Sequence, residues 1–260
     1  MRHIKSVEQK YKSWIRQSSD GSLSAYNEVY DECYHSLKDG ALSESLHKHI
    51  YPSLAHLQSY GDFPSEIYVL DICFGLGYNT FALLSTLVQK GYRGKVRIYS
   101  PEQDEHIFSA LRKWVYPLYM SEYIENIDEI LCWFASAQAK KMTMHSGVLA
   151  QSISFEINIY KGDAIEACTL LPKHTFDIVY QDAFSPKKNP TLWSTEYFSL
   201  LTSLLRPQGI ITTYSQSATI RKNALNAGLR VYNYESGVVR GGSLMSKTAL
   251  SLEGLRAIES

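Results

Sequence analysis

The stretch Ile67-Tyr-Val-Leu-Asp-Ile72-Cys-Phe-Gly75-Leu-Gly77-Tyr-Asn79 decides the architecture. Its first six residues form the short apolar run of a strand buried on both faces. Two glycines then permit a tight turn, and 78–90 has helical periodicity. Reading outward, 95–99 is a second strand and 105–115 a second helix. A helical stretch with a mixed face, 121–141, is placed as an insertion packed on the sheet. Strands follow at 154–160, 176–180 and 209–214, with helices at 194–205 and 217–227, the last closed by Gly228. Two closing strands, 229–234 and 246–251, flank a turn rich in glycine and arginine. This alternation predicts an α/β fold: a doubly wound, mostly parallel sheet with an antiparallel edge strand. The domain is expected over 61–260, with a helical insertion near 117–150, and 1–60 is an N-terminal extension packed on it.

With 260 residues, 45% of them apolar and 20% charged, the chain holds one large core, and wholesale disorder is excluded. Lysine plus arginine and aspartate plus glutamate number 26 each, so no bulk charge announces a polyanion. The balance is uneven: from Gln181 onward nine basic residues face five acidic ones. No apolar run approaches the roughly 18 residues of a membrane span, so no membrane partner is expected. The first ten residues lack the apolar centre of a secretory signal. Cys33, Cys73, Cys132 and Cys168 lie far apart without a CxxC pair. No metal is expected, and the cysteines read as buried thiols of a cytoplasmic protein.

In such a sheet ligands bind beyond the carboxyl ends of the strands. After the first strand, Gly75 and Gly77 let backbone approach a ligand, although tight strand–helix packing explains them equally well. Thr80 stands where a dinucleotide fingerprint has its third glycine, which argues against a nicotinamide cofactor. Glu102, 27 residues beyond Gly75, can accept both hydroxyls of a ribose, or simply favour a helix N-terminus. Asp163 in Gly162-Asp163-Ala164 can bond an adenine amino group, or cap a helix. Jointly these positions fit an adenosine laid across the sheet, as in S-adenosylmethionine (SAM) methyltransferases.

The sharpest signal is Asp182-Ala-Phe184-Ser-Pro186-Lys-Lys188-Asn189-Pro190-Thr-Leu-Trp193. Asp182 directly follows a buried strand, and two prolines make the loop after it rigid. A carboxylate there can orient an amine and hold its departing proton, while Phe184 shields the methyl group. Tyr26, Tyr30 and Tyr34, four apart, suit either a wall for an unpaired base or one packed face; packing is the reading adopted here.

On these motifs the chain resembles the methyltransferase part of the MnmC family of tRNA 5-methylaminomethyl-2-thiouridine biosynthesis proteins, and more closely its stand-alone members. The family's E-x-G-F-G-x-G corresponds to Asp71-Ile-Cys73-Phe-Gly75-Leu-Gly77 with the matching Asn79, its S-x-E to Ser100-Pro-Glu102, and its G-D-A to 162–164. Its D-[GA]-F-[AS]-P-x-K-N-P-x-[ML]-W is the Asp182 to Trp193 stretch, and Glu32-Cys-Tyr34-His35-Ser36, Gly40-Ala41 and Glu44-Ser45 match the stand-alone members. The resemblance implies a class I, Rossmann-like SAM methyltransferase without metal or FAD. Asp71, Gly75, Gly77, Asn79, Glu102, Asp163, Ala164 and Asp182 are then the SAM site. Asp182 and Phe184 face the acceptor amine, and Lys188, Asn189, Pro190 and Arg240 meet substrate. The implied partner is tRNA at its anticodon, methylated on the 5-aminomethyl nitrogen of the wobble uridine, with other enzymes supplying that precursor. Cys73 replaces the family's first glycine, and its basic turn is diluted to Gly237-Val-Val-Arg240-Gly-Gly-Ser243. A small-molecule amine as acceptor, or a non-catalytic binding module, are the alternatives.

Overall fold

The computed structural model describes residues 14–104, 106–122, 127–136 and 141–258. The readings at 1–13 and 105, and over 123–126 and 137–140 within the helical stretch, lie outside the described residues.

The polar N-terminal segment forms a small antiparallel sheet, β1 (Ile15–Gln17), β2 (Leu23–Asn27) and β3 (Glu32–Cys33). The helix that follows, α1, runs as an α-helical turn Ala41–Glu44, a π-helical stretch Ser45–Ile50 and an α-helix Tyr51–Gln58. Asp20 joins the two parts: Oδ1 accepts from the Ser22 amide at 3.0 Å and Oδ2 from the Ser43 amide at 2.9 Å. Gly40, at φ 95°, is required beside it, because a Cβ there would lie 2.2 Å from Asp20 Cγ.

The main sheet contains β4 (Glu66–Ile72), β5 (Lys95–Glu102), β6 (Met142–Leu149), β7 (Ile153–Lys161), β8 (Phe176–Gln181), β9 (Leu205–Thr213), β10 (Arg230–Tyr234), β11 (Gly242–Ser246) and β12 (Leu255–Ile258). Their order is β12-β10-β11-β9-β8-β4-β5-β7-β6. β5, β4, β8 and β9 run parallel, with β7 beside β5, while both margins are antiparallel. Connecting helices are α2 (Tyr78–Gln89), α3 (Ile107–Leu111), α4 (Leu118–Ser121), α5 (Ile127–Ser136), α6 (Ala164–Thr169), α7 (Thr195–Leu204) and α8 (Ala218–Asn226). Strand side chains alternate between the two faces. Val69, Ile98, Ile157 and Ile178 join the core under α1, α2, α3 and α5. Leu70, Ile72, Val179 and Ile211 join the core under α6, α7 and α8.

Three features differ from the sequence reading. The end of the expected helical insertion is strand β6, which makes a hairpin with β7 through Ala150 and Gln151, both at positive φ. Such a turn usually announces itself with Asn-Gly or Asp-Gly, and neither stands here. The closing strand expected at 246–251 lies earlier, over Gly242–Ser246. Gly242 is itself paired in the sheet rather than in the turn, since a Cβ on it would meet the Thr213 carbonyl oxygen at 2.4 Å. A further strand, β12, pairs with β10, so the antiparallel margin is three strands deep and not one.

Candidate active site

The chain's order reverses beside β4, whose neighbours are β5 on one side and β8 on the other. The crevice outside their carboxyl ends opens into a cavity of about 1070 Å³. After β4 the backbone turns through Cys73 (φ 68°), Gly75 (φ 54°) and Gly77 (φ 76°) into α2. Gly77 is packing-determined, since a Cβ would fall 2.8 Å from the Phe81 ring. The Gly75 amide donates to Glu102 Oε2 at 2.8 Å, and the Asp104 amide to Oε1 at 2.8 Å. Each Glu102 oxygen is therefore already engaged by backbone. Burial pushes its carboxyl up to about 7, against the pull of those amides.

Asp71, at the end of β4, is buried behind the lining rather than in it. Thr80 Oγ1 donates to its Oδ2 at 2.8 Å. Burial, with Asp182 nearby, raises the Asp71 carboxyl to about 7. Asn79 Nδ2 donates to Asp182 Oδ2 at 2.8 Å, holding that carboxylate at the cavity floor. Asn79 is itself a lining residue, and its Oδ1 is buried without a hydrogen-bond partner. Asp163 caps α6, accepting from the Ile165 and Glu166 amides at 2.9 and 3.0 Å, and lies at the lining with Ala164.

One wall comes from the N-terminal segment. Tyr30 stacks on Phe184 with ring centroids 4.3 Å apart and 18° between planes, and Tyr34 tilts onto the same ring at 5.1 Å. Both tyrosines therefore pack on Phe184 and line the cavity at once, while Tyr26 instead bonds Asp31. Glu32 accepts from the Ser185 amide at 3.1 Å and Asp31 pairs with Lys188 at 2.9 Å, tying this wall to the Phe184 loop. Deeper in, Lys48 bridges Glu44 at 2.7 Å and Asp39 at 2.9 Å, and His35 lies 3.6 Å from Glu44. Burial opposes all three charges. The contact with His35 and the charge of Lys48 nevertheless hold the Glu44 carboxyl well below its usual range, and the carboxylates raise Lys48 and His35.

Of the residues expected at the site, Gly75, Asn79, Glu102, Asp163, Ala164, Asp182, Phe184, Asn189 and Arg240 line this one cavity. Asp71 and Gly77 support it from behind, while Lys188 and Pro190 do not line it. Tyr214, Gln103 and Lys48 line it without having been singled out from sequence, and Glu44, which also lines it, entered only through the match to the stand-alone members. Only the adjacency of Glu44 and Lys48, one helical turn apart, hinted at a buried pair. Among the described residues no group of three or more His, Cys, Asp or Glu side chains could hold a metal ion, and no helix is long and apolar enough to cross a membrane.

The cavity suits a cationic nucleoside. Acidic side chains at Asp182, Glu102 and Asp163 line it from the ends of three different strands, and a cation is the complement of such a lining. A doubly wound sheet with this crevice is the class I, Rossmann-like architecture of SAM-dependent methyltransferases. A family described as S-adenosyl-L-methionine-dependent methyltransferase matches residues 128–243. The chain superposes on the crystal structure of MnmC2 from Aquifex aeolicus with TM-score 0.72 and 30% identity, covering 91% of this chain and 70% of that one. It belongs to the MnmC-like methyltransferase family. Among curated relatives, an uncharacterized protein of Methanocaldococcus jannaschii is 28% identical over 89% of this chain and 58% of its own length. The tRNA 5-methylaminomethyl-2-thiouridine biosynthesis bifunctional protein MnmC of Pseudomonas entomophila is 24% identical over 78% of this chain, which spans 30% of that protein. Spermidine synthase of Thermotoga maritima, 16% identical with TM-score 0.51 over 90% of this chain and 73% of its own, shares the fold.

Proposed function

We propose that this protein methylates the nitrogen of a 5-aminomethyl group on the wobble uridine of tRNA in the cytoplasm, giving 5-methylaminomethyl-(2-thio)uridine. The observation that carries the reading is Asp182 at the floor of a cavity walled by Phe184, Tyr30 and Tyr34. The names of the Pseudomonas relatives supply the substrate class. SAM, when bound, supplies a methyl group on a positively charged sulfur. Glu102, Asp163 with Ala164, the Gly75 turn and Asn79 are the residues that would hold it.

Asp182 accepts a proton from the acceptor ammonium and leaves a lone pair on nitrogen. Asn79 keeps the carboxylate oriented. The aromatic wall suits the face of a base drawn out of the anticodon stack. Arg240 and Asn189 stand at the cavity where the rest of the nucleotide would lie, and Lys188 and Pro190 stiffen the adjoining loop. The reading takes as substrate a uridine that already carries the aminomethyl group at C5, because the cavity groups named here act on its nitrogen and do not install it.

The test is incubation of the protein and SAM with tRNA carrying 5-aminomethyl-2-thiouridine, followed by mass analysis of nucleosides. Conversion to the methylamino nucleoside, weakened by added salt as phosphate contacts require, supports the reading. Methylation of free amines but not of this tRNA would replace it with a small-molecule substrate, and absence of saturable SAM binding would leave a non-catalytic module.

A further inference from the structure

Behind Asp182, away from the cavity, lies His49. It sits in the π-helical stretch of α1, is fully buried, and is not among the lining residues. Its ring has one hydrogen bond, one ring contact and one carboxylate neighbour. Nδ1 is 2.7 Å from Thr212 Oγ1 on β9, the ring meets Tyr180 edge-on at 5.6 Å, and Nε2 is 3.5 Å from Asp182 Oδ1. Nε2 has no other polar neighbour within hydrogen-bonding distance and is left without a partner. A buried ring nitrogen in that state is destabilising, and π-helical stretches that keep such features occur often at functional sites. The consecutive residues Lys48 and His49 each reach a different carboxylate of the site, Lys48 reaching Glu44 and His49 reaching Asp182.

We propose that His49 is a positioning residue that acts through Asp182 as the store for the proton released in methyl transfer. The inference rests on the amine-methylating reading given above. An N–H bond of the substrate ammonium breaks and its proton moves to Asp182 Oδ1, then to His49 Nε2. The freed nitrogen lone pair forms the bond to the methyl carbon, while the sulfur–carbon bond breaks with its pair remaining on sulfur. The product is a secondary ammonium, and the stored proton returns through Asp182 to water once the site opens.

The surroundings permit this cycle. A neutral imidazole needs one donor and one acceptor partner and a protonated one needs two acceptors; Thr212, whose hydroxyl donates or accepts, serves Nδ1 in either state. Asn79 occupies Asp182 Oδ2, which leaves Oδ1 to face Nε2. Other ionisable groups near the pair are Asp71 at the end of β4, His35 before α1, Cys73 after β4 and Tyr214 after β9 beside Asp182, and Tyr180 on β8 against the His49 ring.

Two measurements test this. In steady-state methylation of the aminomethyl tRNA, His49→Phe keeps the ring volume and removes both nitrogens. The expected result is a kcat lower by roughly 10²-fold, the low end of general-base contributions, with KM and SAM affinity within about twofold and a displaced acid limb of the kcat–pH profile. Thr212→Val is expected to cause a smaller loss of the same kind. Wild-type turnover and pH profile in His49→Phe would overturn the inference, since a packing role alone predicts that outcome. Independently of any acceptor, ¹⁵N NMR of the His49 ring in the whole protein should show Nε2 changing with pH, and changing differently in Asp182→Asn. An Nε2 signal indifferent to Asp182→Asn would overturn the inference even if the tRNA is methylated, or if His49→Phe fails to bind SAM. A signal that responds, in a protein that leaves the tRNA unmethylated, would keep the proton store and remove the tRNA substrate.

Discussion

The Asn79 amide nitrogen lies 2.8 Å from Asp182 Oδ2 and 3.5 Å from Asp71 Oδ1, so one side chain ties together the acidic ends of two adjacent parallel strands. Burial, and after it the nearby Asp182, raises the Asp71 carboxyl, and the amide bridges the two side chains. Asp182 is the member that reaches the cavity, with its side chain 9% exposed.

Asp182→Asn keeps the shape of that side chain and removes its ability to take a proton. Turnover with the aminomethyl tRNA is expected to fall by at least roughly 10²-fold. Calorimetric SAM binding should persist, and an unchanged kcat would dismiss the role given to Asp182.

Asp71 and Glu102 predict a stability slope with pH. Burial pushes both carboxyls up to about 7, from ordinary values of 3.8 and 4.5. Between those limits the folded protein holds protons that the unfolded chain has lost, so each group removes stability as pH rises from about 4 to 7. Asp71→Asn should therefore raise the melting temperature more at pH 7.5 than at pH 4.5, by scanning calorimetry. A uniform change at both pH values would contradict the assignment.

Glu44 and Lys48 form a buried ion pair in which each needs the other. Removing one partner strands the remaining charge, so Lys48→Met should cost about 3–5 kcal/mol in urea unfolding. The double variant with Glu44→Gln should recover much of that loss. Additive losses would mean the pair is not coupled.

Tyr30 stacks on Phe184, and its hydroxyl donates to Gln103 Oε1 at 3.2 Å, one residue beyond the end of β5. Tyr30→Ala is expected to weaken acceptor binding by about 1–3 kcal/mol, the worth of one base stacked on an aromatic ring, while SAM affinity holds. Equal weakening of both ligands would place Tyr30 in the general packing of the cavity instead.

Cys73 sits at φ 68°, a left-handed conformation that disfavours any residue with a Cβ. Cys73→Gly removes that strain, worth about 1–2 kcal/mol, against an entropic cost of about 0.5–1 kcal/mol for glycine. A small rise in melting temperature is expected, and a clear fall would mean that the thiol's packing outweighs the backbone strain.

Strand and helix alternation, the turn through Gly75 and Gly77, and the acidic residues closing β4, β5 and β8 were all legible along the chain. Each is a local property: apolar periodicity fixes which face a segment buries, and a strand's last residue marks the sheet's carboxyl edge. The β6–β7 hairpin was not legible, because Ala150 and Gln151 take positive φ without the residues that usually advertise it. Nor were the partners of Asp182. Asn79 is 103 positions away from it, and Thr212 is 163 positions from His49, so no local pattern links either pair. Tyr30 reaches Phe184 only because the N-terminal segment folds over the crevice, held there by Glu32 and Asp31 against the loop after β8. The sequence by itself determined the layered sheet and the rim of residues around its crevice. Tertiary packing alone decided which of them share a proton or a ring face, since those contacts depend on distances between segments that only the folded core brings together.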